Sequence, residues 1–166
     1  MSQRTLRTFV WPLVAIVCLA VGGITATLGY LFSAGDYVTQ PGAPAYYLGI
    51  SPLIREVAAP EGAQGREYFG SVGDGNKPPQ SQLSFRVPSE LADSTWDGLT
   101  QQLQGLALRR LSSSAELSAT AHNMSLVLPP LKEAEYTSDA RDLVVVTTHQ
   151  DEDAPAWTRF EITHFD

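Results

Sequence analysis

The sequence predicts an α+β protein: one N-terminal transmembrane helix, then a small exported domain with a mostly antiparallel sheet and one main amphipathic helix. Three observations carry that reading. Phe9 to Phe32 contains no charged side chain. Trp96, Leu99, Leu103 and Leu106 recur at helical spacing. Around them lie short β-branched or alternating stretches bounded by Gly, Pro and Asp.

The apolar run comes first. As a helix it would span about 36 Å, enough for a hydrocarbon core of roughly 30 Å with some tilt. Trp11 and Tyr30 fall near its two ends, where amphipathic rings settle at the interfaces. Pro12 sits in the first turn, where its missing N–H costs little. A cleaved signal peptide carries a shorter apolar stretch, roughly 7–15 residues, so an uncleaved anchor is the expectation. Arg4 and Arg7 precede the run and Asp36 follows it. The positive-inside bias then leaves the amino terminus in the cytoplasm and exports the rest. This is the topology of a bacterial inner-membrane protein with a periplasmic domain.

The chain accordingly divides into a cytoplasmic tail (1–8), the transmembrane helix (9–33), a Pro/Gly-rich stalk (34–60) and the exported α+β domain (61–166). Within the stalk, Pro41, Pro44, Pro52 and Pro60 recur too closely for a helix, and one short strand is expected around Leu53–Ala58. Tyr37, Tyr46 and Tyr47 are its candidate partner-facing or lipid-facing residues; covering the domain's own underside is the competing role. Glu67–Val72 and Gln82–Val87 read as strands joined through a turn at Gly73–Asn76. A helix follows, with Ser94 and Asp97 at a capping-box-like start and Arg109 and Arg110 at its carbonyl end. Gly98 and Gly105 share one of its faces and suggest close approach to another element. Ser118–Leu128 reads as a strand, and Leu143–His149 with Trp157–Phe165 as a hairpin closed by an acidic loop.

Composition limits the partners. The exported part holds all 18 acidic residues and all but two of the 11 basic ones. So acidic a domain is poorly suited to nucleic acid or to lying flat on anionic lipid. Cys18, the one cysteine, falls inside the apolar run, so the domain holds no disulfide and rests on its core.

No motif here carries chemistry. His149 with Asp151 and Asp153, or His164 with Asp166, lacks the short-spaced ligand pattern of a zinc site, and solvated loop charges explain both pairs. His122 near Met124 is too little for copper. Asp74-Gly75-Asn76 lacks the spaced oxygen ligands and closing Glu of a calcium loop. Gly70-Ser71-Val72-Gly73 places serine wrongly for a nucleophile elbow. Only a Ser-His-Asp triad assembled in space stays open. Asn123-Met124-Ser125 matches the glycosylation sequon. No catalytic residue, cofactor site or metal site is assigned.

The functional signal lies in the apolar run itself. Ala15, Cys18, Gly22, Ala26, Gly29 and Ser33 follow one another at spacings of three and four, forming one narrow stripe of small side chains. In lipid, helices gain little hydrophobic free energy by joining; they associate through close packing, which small residues permit. The stripe therefore predicts a helix–helix interface. The expected function is non-catalytic: an accessory or assembly subunit docked on a multi-span membrane complex, its acidic domain covering or recruiting partners. The alternatives are a membrane-tethered enzyme or small-ligand binder, and an envelope protein that associates with itself.

Overall fold

The computed structural model describes residues 3–73, 77–111, 130–139, 142–151 and 154–165. Helix α1 (Gln3–Ala34) leads directly into strand β1 (Asp36–Thr39). Two short helices follow, α2 (Pro44–Gly49) and α3 (Pro52–Glu56), then β2 (Gln64–Ser71) and β3 (Gln80–Pro88). A single 3-10 turn, Ser89–Leu91, opens into α4 (Ala92–Gly105), after which come β4 (Arg109–Arg110), β5 (Lys132–Thr137), β6 (Leu143–Gln150) and β7 (Trp157–Phe165).

The described strands form one seven-stranded sheet in the order β1-β2-β3-β7-β6-β5-β4. Every pairing in it is antiparallel. Strand β7 lies between β3 and β6, so the β3–β7 pairing, distant in sequence, joins the two halves of the open sheet. Register places Leu83 opposite Ile162 and Phe85 opposite Phe160, and Val146 beside Ile162. All of these are buried. Because side chains alternate across a strand, this register puts one apolar face of the sheet in the core and leaves a more polar face opposite. The Phe85 and Phe160 rings stack with centroids 5.4 Å apart. Ile54 of α3 and Leu99 and Leu103 of α4 pack on the same side and complete the core.

The α+β class with an N-terminal apolar helix and an antiparallel sheet is therefore as expected. Four of the expected strands are present with ends shifted by at most three residues. Ser118–Leu128, His122, Met124, the Asn123 sequon and Asp74–Asn76 lie outside the described residues.

Five expectations are corrected. The stretch assigned to a stalk is part of the domain: β1 pairs with β2, and Tyr46, Ile50, Ile54 and Val57 are buried. The strand expected around Leu53–Ala58 is instead helix α3. Its prolines explain both errors. Pro44 and Pro52 occupy the first turns of α2 and α3, where proline starts a helix. Ser51 caps α3 by accepting from the Ile54 N–H, and its own N–H donates to Ser81 Oγ at 2.9 Å.

The helix boundaries also differ. Ser94 does not cap α4; it lies within the helix and donates to the Leu91 carbonyl. At the other end, Arg109 and Arg110 belong to β4. The chain leaves α4 through Ala107, whose φ is +60°. Leu108 N–H donates to the Leu103 carbonyl and Ala107 N–H to the Gln104 carbonyl, a Schellman motif with both leucines buried. Glycine usually holds that left-handed position; here an alanine does, which hid the stop. Finally, a Cβ on Gly98 or Gly105 would meet nothing within 4 Å. Among the described residues, neither glycine marks a close approach.

Candidate functional site

The six stripe residues fall on α1, whose segment Trp11–Tyr30 is long and apolar enough to cross a membrane by length and composition. None of its residues is buried by the described residues. Ala15, Cys18, Gly22, Ala26, Gly29 and Ser33 are all exposed, and a Cβ added at Gly22 or Gly29 would meet nothing within 4 Å. Three hydroxyls along this helix are satisfied by its own carbonyls. Thr25 donates to the Val21 carbonyl and Thr27 to the Gly23 carbonyl, both at 2.9 Å, and Ser33 to the Tyr30 carbonyl at 3.0 Å. In a medium without water, such bonds remove the cost of carrying a hydroxyl.

The three stalk tyrosines separate. Tyr37 is 6 % exposed and lies over Gly70, where an added Cβ would come within 2.7 Å of its ring Cε2. Tyr46 is buried and meets Tyr68 edge to face at 4.8 Å. Burial, and the hydrogen bond its hydroxyl donates to Tyr46, push the Tyr68 phenol up to about 12. Tyr37 and Tyr46 therefore belong to the core. Tyr47 is 56 % exposed, beside Leu48 at 45 %. Leu48 is not legible in the sequence, because α2 is too short, and too closely flanked by prolines, to show a helical phase.

Polar groups gather at two places in the domain. On the open sheet face, register lines up His149, Arg159 and Arg86 across β6, β7 and β3. Directly opposed like charges repel, and each guanidinium is answered by a carboxylate: Arg86 by Asp151 at 3.1 Å and Arg159 by Glu161 at 3.0 Å. Arg86, Arg159 and Asp151 border a cavity of about 260 Å³ with Ser84 and Glu67. Asp151, once a candidate metal ligand with His149, is thus engaged by an arginine. Asp153 and Asp166 lie outside the described residues, and among those described no group of His, Cys, Asp and Glu is arranged to hold a metal ion.

The second cluster joins Ser138, Asp142 and His164. Ser138 Oγ donates to Asp142 Oδ2 at 2.7 Å, while His164 Nε2 lies 3.7 Å from Asp142 Oδ1. A nucleophilic serine needs its hydroxyl on the histidine and the carboxylate on the histidine's far nitrogen. Here the carboxylate stands between the other two, so the geometry ties down the β5–β6 turn. That is a structural arrangement.

Searches against protein-family models, curated proteins and solved structures return no match. The candidate site accordingly rests on geometry alone: an exposed apolar helix with a small-residue stripe, and beside it the outer side of α2.

Proposed function

We propose that this chain is a non-catalytic accessory or assembly subunit of an integral membrane complex. In this reading α1 crosses the bacterial inner membrane with its amino end in the cytoplasm. It docks on a multi-span partner through Ala15, Cys18, Gly22, Ala26, Gly29 and Ser33, and the acidic domain stands in the periplasm, where it covers the complex or recruits a further partner. One observation supports this above others: the small-residue stripe runs along a helix whose apolar span, Trp11–Tyr30, has no residue buried by the described residues. A simple tether gains nothing from such a groove, whereas a packed interface does.

The test is a mild-detergent pull-down of the full chain, compared with a variant carrying Gly22→Leu and Ala26→Leu. The wild type is expected to retain a specific set of membrane proteins that the variant loses. Recovery of the same proteins by both chains would overturn docking through the stripe. Recovery of nothing but further copies of the chain would instead establish self-association.

A further inference from the structure

We infer that α2 is a membrane-interface foot: its outer side, Tyr47 and Leu48, rests in the lipid headgroup layer beside the exit of α1. The inference deepens the proposed function and rests on its membrane-crossing helix. Three observations lead to it. First, α2 packs against α1. The apolar span ends at Tyr30 and α1 continues only to Ala34, a further rise of about 6 Å. The polar layer on each side of a bilayer is roughly 5–8 Å thick, so the end of α1 and what packs on it stand at headgroup depth. Second, α2 has two unlike sides. Tyr46 is buried against Tyr68, while its neighbours Tyr47 and Leu48 are large, apolar and exposed. Third, no charged side chain occurs from Tyr37 to Ile54, in a chain whose described surface is otherwise well supplied with acids.

An aromatic ring beside a leucine suits this layer, since the ring's apolar body enters the acyl boundary while its hydroxyl stays among polar headgroups. The acidic remainder of the domain is repelled by anionic lipid. Attachment at α2 therefore gives the domain one contact with the bilayer and holds its other surfaces away.

The experiment uses the full chain with Cys18→Ala, reconstituted into vesicles of phosphatidylethanolamine with a minority of phosphatidylglycerol. Single cysteines introduced by Tyr47→Cys, Leu48→Cys, Leu19→Cys and Leu91→Cys carry a nitroxide label, and collisions with oxygen and with a water-soluble nickel complex report depth. Leu19 marks the apolar span and Leu91 an exposed position of the domain. Labels at 47 and 48 are expected to meet oxygen readily and nickel several-fold less than the label at 91. Nickel access at 47 and 48 equal to that at 91, with 19 still lipid-exposed, overturns the foot and leaves the anchor standing. Shielding from both reagents means a protein contact and also overturns the lipid assignment. Free nickel access at 19 removes the anchor, and the foot with it.

Discussion

Replacing Gly70 with alanine should loosen the strand that joins the long helix to the sheet. Gly70 lies opposite Tyr37 in the β1–β2 ladder, and the buried Tyr37 ring fills the space where a side chain would stand. An added Cβ would fall 2.7 Å from Cε2 and nearer still to Cζ and the hydroxyl oxygen. Carbon atoms settle at about 3.5–4.0 Å, so the ring must move by an ångström or more. Overpacking of this kind costs about 1–3 kcal/mol. Tyr37→Ala alone should cost about 2–4 kcal/mol, somewhat below a fully enclosed aromatic because β1 is an edge strand. With the ring removed the Cβ has room, so the double variant should be scarcely worse than Tyr37→Ala. The coupling should be at least ~1 kcal/mol. Tyr37→Phe should give no rescue, since the ring carbons clash as well as the hydroxyl. The assay is urea unfolding of the full chain in micelles, followed by the fluorescence of Trp96 and Trp157. A Gly70→Ala cost under about 0.5 kcal/mol, or a double variant equal to the sum of the singles, would refute the argument.

Further outcomes can be checked in the same assay. Gly98→Ala should stabilise the domain by roughly 1 kcal/mol, because its helical position opens onto empty space and glycine is a poor helix former. The reverse change at the end of the same helix, Ala107→Gly, should also stabilise, by roughly 0.5–1 kcal/mol, since it relieves a left-handed alanine; loss of stability in either would show the local geometry to be wrong. Ser81→Ala should cost about 1–3 kcal/mol, because the buried Ser51 N–H then lacks its acceptor. Burial, with Glu133 adding to it, holds the Glu135 carboxyl above its ordinary value of 4.5. The folded form therefore prefers the proton, and its stability falls as pH rises from 4.5 through the raised folded value. Glu135→Gln should be the more stable chain at neutral pH, with an advantage that shrinks on acidification through that window and is gone below 4.5; a constant advantage across the titration would exclude the carboxyl as its source.

Regular periodicity made part of the fold legible. The β6–β7 hairpin, with its alternating buried positions, and the Trp96-Leu99-Leu103 stripe of α4 stood out because each element shows one face to the core. The segment from Asp36 to Val57 did not, for a physical reason. Its elements are four to six residues long, too short to complete a period, and its prolines have opposite meanings at the start and in the middle of a helix. The stop of α4 was hidden by an alanine in a glycine's conformation. For the candidate site, the small-residue stripe was visible in the spacing alone. The sorting of the tyrosines was not, since Tyr46 and Tyr47 are adjacent and only the helical turn between them sends one inward and the other out.

The junction at Gly35 has a mechanical consequence. It is the single residue between α1 and β1, and its carbonyl already accepts from the Val72 N–H. The sheet thus begins where the rod ends, with no slack to uncouple them. Successive residues of a helix are offset by about 100°, so one residue inserted into α1 would swing the whole domain through slightly more than a right angle about the rod's axis. Whatever grips the rod then also sets the bearing of the sheet, much as a keyed shaft sets the heading of the vane mounted on it.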